Sequence, residues 1–391
     1  MRIEIAQPLE LGAAAISRWR QLQSCDASLR SPFFTPEYAV LVASVRPDVR
    51  LAILESSRGI DGFFGLQSAF GQAAMPLGAP LTDYQGVVGS PELEIDAREL
   101  CKASGVSRFD FTQVPAEQRA FAAHARSNST TWIADLSPGV DGFFAGVRDR
   151  HRTFLYQLGR VQRKCERAHG EMVFGADSKS SSHLETLLAW KSAQLSDSGQ
   201  PLVWRRPWVR EVIFRSRDEA TPCFGGILFT LTLGDKLIAA NFCLYSETVL
   251  HGVLMAHNRD FEAYSPGIQL LRRVLDWGAR RGFAEVDFGI GEQLYKRQLG
   301  THHRTTMSGW VGCPSFSSVF RAAQYAVREQ IEKTPNAWVA SLPGRLMRRL
   351  DVYRGLAAPP MPGHGHKPEE PSVLSAYWRT HVTPSSPGTE A

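Results

Sequence analysis

From Gly226 to Asn258 the chain reads GILFTLTLGDKLIAANFCLYSETVLHGVLMAHN, three runs that alternate apolar with small or polar side chains. A period of two marks a half-buried strand, and the breaks at Gly234-Asp235 and Ser246-Glu247 are turn chemistry, so the stretch predicts a three-stranded meander. The neighbouring segments narrow the fold further. SPGIQLLRRVLDWGARRG (265–282) opens on Ser265 as a helix cap, puts Pro266 in the first turn, sets Ile268, Leu271 and Leu275 on one face and stops at Gly282. FAEVDFGI (283–290) returns to strand, and RTTMSGWVG (304–312) supplies one more. Strands joined first by turns and then through a helix predict the fold class α/β, in the α+β sense.

The same order recurs, more faintly, in the first third: RLAILES, a turn at Gly59, DGFFGLQSAF, a helix from Pro91 to Gly105, then SRFDFTQV. Gly59 and Pro91 lie 175 residues before Gly234 and Pro266, while Gly105 and the pair Asp110-Phe111 lie 177 before Gly282 and Asp287-Phe288. One small insertion aligns the two series. Such a duplication predicts two related domains, and 391 residues leave room for two plus appendages. The division expected is 1–140, 141–313, a helical segment over 314–356 and a flexible tail over 357–391. In the helical segment Phe316, Phe320, Ala323, Val327 and Ile331 keep the spacing of an amphipathic helix; the tail is rich in Pro, Gly and charge, with VLSAYWRTHV inside it as a docking segment.

Between the halves, Arg148 to Arg167 holds seven Arg or Lys against Asp149 and Glu166, with Phe154, Leu155, Leu158 and Val161 on an apolar stripe. This predicts a helix whose basic face is either solvated or a positive wall beside an anionic ligand. The chain as a whole has a formal net charge of +5, too small for a dedicated nucleic-acid binder. Its six cysteines stand singly, without the spacing of a zinc site or a disulfide framework, as suits a reducing compartment. Neither a leader's apolar core nor a run of about 20 apolar residues is seen, so a cytoplasmic protein is expected, peripheral at most on the inner membrane face.

Several chemistries are excluded by spacing. The glycines of DFGIG do not continue to a dinucleotide fingerprint, because the third position is Leu294, and neither a P-loop nor G-x-S-x-G is present. His302 and His303 are adjacent rather than a helical turn apart, so no metal is expected. The helix start at Ser265-Pro266-Gly267 is either an ordinary cap or an anion site, since the first N–H groups of a helix and its dipole attract phosphate.

The meander, NRDFEAYSPGIQLLRRVLDWGARRG and FAEVDFGIGEQLYKRQLG together resemble the C-terminal acyltransferase domain of the CelD-like (cellulose-biosynthesis type) group of the GNAT superfamily, which in turn resembles the twin-GNAT FemABX peptidyltransferases. The likeness runs from about 148 to 312, and GAPLTDYQGVV (78–88) extends it to the first third. It implies two tandem GNAT-like domains, the first degenerate, and an acyl-CoA-dependent N- or O-acyltransferase, with acetyl-CoA or another acyl-CoA as co-substrate and a sugar or envelope-polysaccharide precursor as acceptor. The donor would lie on Ser265, Gly267, Ile268 and Gln269. The family loop Q/R-x-x-G-x-G/A aligns with Glu262 at its first position and Ser265 at its first glycine, so only Gly267 is retained. Asp287 and Tyr264 are the catalytic candidates, with His251, His257 and Tyr295 behind them; Tyr295, Lys296 and Arg297 are expected to meet substrate. The resemblance also implies two alternatives, a transferase using aminoacyl-tRNA and a non-catalytic scaffold in polysaccharide synthesis.

Overall fold

A computed structural model describes residues 1–69, 72–333 and 337–357. The first half runs β1 (Arg2–Ala6), α1 (Ala13–Cys25), α2 (Pro36–Val45), β2 (Val49–Ser56), β3 (Gly59–Ala69), β4 (Ala73–Pro76), β5 (Val87–Gly89), α3 (Ala97–Ala103), β6 (Arg108–Pro115), α4 (Arg119–Ala122) and β7 (Ala125–Asp135). A long helix, α5 (Gly139–His169), crosses to the second half: β8 (Met172–Gly175), α6 (Ser181–Asp197), α7 (Pro207–Asp218), β9 (Phe224–Leu233), β10 (Lys236–Ser246), β11 (Val249–His257), α8 (Pro266–Arg280), β12 (Glu285–Ile290), α9 (Leu294–Leu299) and β13 (His302–Gly312). Apart from the short β5, the order of strands and helices is the same in both halves. Two helices close the described chain, α10 (Phe316–Glu332) and α11 (Ala337–Leu356). The expected tail lies, except for Ala357, outside the described residues.

All strands join one mixed sheet in the order β1-β2-β3-β4-β6-β13-β7-β12-β11-β10-β9-β8, with β5 alongside β3. The last strands of the two halves are exchanged. β13 lies between β6 and β7, and β7 pairs with β12, so each half completes its sheet with a strand of the other. The meander forms as read, β9 against β10 and β10 against β11, both antiparallel. On one sheet face α1, α2, α6 and α7 share a single core, with Trp19, Tyr38, Leu187, Trp208 and Phe242 drawn from both halves. On the other face α3 covers the first half and α5 and α8 the second. Leu270, Leu271, Val274 and Leu275 are the buried stripe of α8, and full burial of each contributes about 1.5–3 kcal/mol.

Two expectations on element boundaries are corrected. The helix awaited from Pro91 begins only at Ala97, because Asp96 caps it by accepting from the Arg98 amide at 2.8 Å. The basic helix begins earlier, at Gly139, and breaks at His151, where φ is −141° and ψ 49°.

Candidate active site

β11 and β12 run parallel and pair only over Val249–His251 and Glu285–Asp287. Beyond that they part, because β12 bends away through Gly289, at φ +67°, and Gly291, at φ +125°. The opening is a cavity of about 660 Å³. Gly267 and Ile268 at the start of α8 form one wall, Phe288 to Ile290 with Tyr295 and Lys296 form the other, and Lys191 and Gln194 of α6 border it. A bulge in β11 opposite Phe242 and Cys243 leaves Val253 out of the ladder and on the cavity edge.

At the closed end sits a chain of ionisable groups. Asp287 is fully buried; its carboxylate accepts from the Tyr84 hydroxyl at 2.7 Å and from the Gly289 amide at 2.8 Å. Tyr84 is also 2.7 Å from the Thr131 hydroxyl, and burial, reinforced by Asp287, pushes its phenol well up. His251, also fully buried, donates from Nε2 to Asp83 Oδ2 at 2.9 Å, while its Nδ1 faces Asp287 Oδ2 at 3.7 Å. Burial works against the imidazolium, yet Asp287 and Asp83 outweigh it, and His251 titrates above the usual 6.5. Asp83 is the member that reaches the cavity, its side chain 24% exposed.

Lys296 approaches the same carboxylates from the other side. It is buried, donates to the carbonyls of Gly289 at 3.1 Å and Ile290 at 2.6 Å, and burial pushes its ammonium down to about 8 against the pull of Asp83 and Asp287. Lys191, also lowered by burial, donates to Gln194 at 3.0 Å and the Met255 carbonyl at 3.4 Å.

Of the residues singled out in the sequence, Asp287, Ser265, Gly267, Ile268, Tyr295, Lys296 and His257 border this cavity, and His251 stands behind its lining against Asp83 and Asp287. Three others lie elsewhere. The Tyr264 hydroxyl meets His169 Nε2 at 3.2 Å, on the side where α5 ends. Gln269 is fully buried and donates to the Leu158 carbonyl at 2.8 Å, which ties α8 to α5. Arg297 is exposed. Ser265 does cap α8, but through its backbone carbonyl, which accepts the Ile268 and Gln269 amides; its φ of +51° is a value that favours glycine. Two residues were missed, Asp83 and Lys191. Asp83 lay in plain view inside GAPLTDYQGVV, although nothing local says that this loop crosses to the other half.

The first half shows why. β4 and β6 are its counterparts of β11 and β12 and also pair only briefly, at Ala73–Arg108 and Ala74–Phe109. Their opening is filled by the chain itself. Gln85 donates to Thr112 Oγ1 at 2.9 Å and accepts the Thr112 amide at 3.0 Å, so the segment before β5 occupies the gap, with Asp83 reaching the second cleft and Tyr84 bonded to Asp287 behind it.

Residues 150–297 match the family model described as an acetyltransferase (GNAT) domain. Among solved structures, the chain is similar to FemX, at 10% identity over 78% of this chain and 97% of that one, with a TM-score of 0.53. It is also similar to a conserved protein of unknown function from Bacteroides thetaiotaomicron VPI-5482, at 9% identity over 78% and 100%, with a TM-score of 0.51. A tandem GNAT protein from the clavulanic acid biosynthesis pathway has a TM-score of 0.47 at 11% identity over 80% and 100%. These identities speak of fold alone. A comparison with curated protein sequences found no match.

Proposed function

We propose, from the premise that residues 150–297 are a GNAT-superfamily acetyltransferase domain, that this protein transfers an acyl group to an amine or hydroxyl held in the cleft between β11 and β12. The observation that carries the reading is the chain Asp83–His251–Asp287–Tyr84 at the closed end of that cleft. In this reading Asp83 takes the acceptor's proton as its nitrogen or oxygen attacks the acyl carbon; the bond from that carbon to the donor's sulfur breaks, and the thiolate leaves and takes up the proton. His251 holds the Asp83 carboxylate in position, and Asp287, itself fixed by Tyr84 and the Gly289 amide, balances the imidazolium. Backbone amides at the Val253 bulge are suited to hold the acyl oxygen. In this division of labour residues 1–140 are a degenerate GNAT-like unit that lends Asp83 and Tyr84, and 141–313 are the transferase.

The donor we favour is acetyl-CoA or a longer acyl-CoA, and the acceptor a sugar or envelope-polysaccharide precursor. Asn241, Gln194 and Gln293 on the lining can hydrogen-bond hydroxyls. The fit to a pyrophosphate is partial. The start of α8 offers its dipole and Gly267 leaves the backbone open, a Cβ there meeting nothing closer than His257 Nδ1 at 3.6 Å. However, Glu262 lines the same wall, and burial keeps His257 below its usual value and therefore neutral. In this reading the enzyme works in the cytoplasm at or near the inner membrane face; no helix among the described residues is long and apolar enough to cross a membrane.

Calorimetry with acetyl-CoA and a longer acyl-CoA at millimolar concentration tests the donor, and no heat with either sinks it. An aminoacyl-tRNA donor is the second reading, favoured by α5. Its exposed Arg148, Arg150, Arg152, Arg160, Arg163, Lys164 and Arg167 form no ion pair among the described residues, where phosphates would find unneutralised charge. Retention of labelled aminoacyl-tRNA, weakening as salt rises, separates the two donors.

A further inference from the structure

Apart from one hydrogen bond that Arg349 of α11 donates to the Gly199 carbonyl beside the groove, the hairpin of α10 and α11 is fixed to the body from one side. Arg321, buried on α10, pairs with Asp110 of β6 at 2.9 Å and Asp351 of α11 at 2.7 Å, and the Gly355 carbonyl at the end of α11 accepts from the buried Arg46 at 2.7 Å. The other side is apolar and uncovered among the described residues. Phe316 is 87% exposed and Val319 68%, with Phe320 and Val327 continuing the stripe along α10, and Leu346, Leu350 and Tyr353 exposed on α11. Phe320, Val327, Ile331, Leu346 and Leu350 border a groove of about 1,380 Å³ between the two helices and the turn at Pro201. Large side chains of this kind, contiguous and outward, mark an interaction surface rather than an ordinary solvated face.

Charge selects the occupant. Residues 314–357 hold seven Arg or Lys against three Asp or Glu, a net of +4, so the segment with the exposed apolar stripe is itself strongly basic. A second copy of the same face would bring +4 against +4. Residues 358–391 carry two basic against three acidic side chains, too little to answer that charge. Helices with Phe and Leu on one side and Arg and Lys around them match the boundary between acyl chains and anionic headgroups.

We propose that the α10–α11 hairpin is a docking surface for an anionic lipid membrane, with the Phe316–Val327 stripe entering the headgroup layer and the exposed Lys333 and Arg349 beside it meeting lipid phosphate. The proposal stands apart from the acyl-transfer reading, because none of these residues borders the cleft. It is tested by sedimenting the full chain with vesicles of phosphatidylcholine alone and with about one third phosphatidylglycerol. The expected result is sedimentation with the anionic vesicles, at least about tenfold weaker with the neutral ones, falling as salt rises, and lost in a Phe316→Ser, Val327→Ser variant. An unchanged circular dichroism spectrum and a melting temperature within a few degrees of the parent show that the variant is folded. A full chain that stays in the supernatant with both vesicles overturns the proposal, as does a double variant that sediments like the parent. Light scattering that finds a dimer in the parent and a monomer in the variant, without lipid binding by either, assigns the face to a second copy instead.

Discussion

His251 Nε2 lies 2.9 Å from Asp83 Oδ2 across 168 residues of sequence, and this contact joins the first half of the chain to the cleft of the second. Asp83→Asn is expected to lower the rate of acyl transfer by about 10²–10⁴-fold while leaving donor affinity within a few-fold, since the group proposed to take the proton is gone and the α8 wall is untouched. Equal losses in kcat and in donor binding would argue that Asp83 only shapes the cleft.

The same pair makes stability depend on pH. A histidine whose value is raised by folding binds its proton more tightly in the native state, so its contribution is full below the unfolded value of 6.5 and disappears as pH rises through the raised native value. Thermal melts of the parent should therefore fall as pH climbs above 6.5, and His251→Gln should flatten that part of the curve. Parallel curves for parent and variant would mean that His251 is not charged in the native state.

Lys296, expected to meet substrate, borders the cleft and is also a strut. Its ammonium holds the carbonyls of Gly289 and Ile290, which fixes the bend that opens the cleft. Lys296→Met should cost about 1–3 kcal/mol by stranding those acceptors, so stability suffers along with binding. The sign of its pH effect is opposite to that of His251. With a native value of about 8 against 10.5 unfolded, the unfolded chain binds the extra proton between these limits, and the parent should gain stability relative to Lys296→Met as pH rises across that window. Chemical denaturation of both proteins at each end of the window reads the difference.

Ser265 and Gly289 form a contrasting pair, because both adopt positive φ and only one is glycine. Ser265→Gly relieves a left-handed serine and should be neutral or stabilising by up to about 1 kcal/mol. Gly289→Ala should cost about 1–3 kcal/mol: its φ is +67°, and a Cβ there would stand 3.1 Å from Asp83 Oδ2 and 3.2 Å from the Gly252 carbonyl. Melting temperatures decide both, and a stabilised Gly289→Ala would show that the bend is not held as described.

What could be read from sequence was whatever is written locally. Alternation gave β9 to β11, and Pro266 with the stripe Leu271 and Leu275 gave α8, because those signals sit on neighbouring residues. The position of Asp287 on β12 was legible for the same reason. Asp83 was not, since its role depends on a loop that fills one strand opening and crosses to another. Tyr264 was misplaced because proximity in sequence to Ser265 does not say which side of α8 a ring will take, and here His169 takes it. The exchange of β7 and β13 has no local signature, because either strand satisfies the same pattern.

Asp110 and Asp287 occupy equivalent positions, 177 residues apart, and the structure gives them different work. Asp287 faces an imidazole and a phenol at the end of a cleft. Asp110 is walled in by Arg108 at 3.0 Å and Arg321 at 2.9 Å, and burial raises its carboxyl although both arginines pull it down. Removing one partner of such a cluster leaves a buried charge uncompensated, so Arg321→Met should destabilise by about 3–5 kcal/mol, far more than loss of an exposed pair. Replacing the carboxylate as well, as Arg321→Met with Asp110→Asn, should recover part of that loss, because the stranded charge is then absent. Urea denaturation of the two variants measures the recovery. A double variant less stable than the single would show that the Asp110 carboxylate is held well enough by Arg108 alone, and that Arg321 matters through its link to Asp351 on α11.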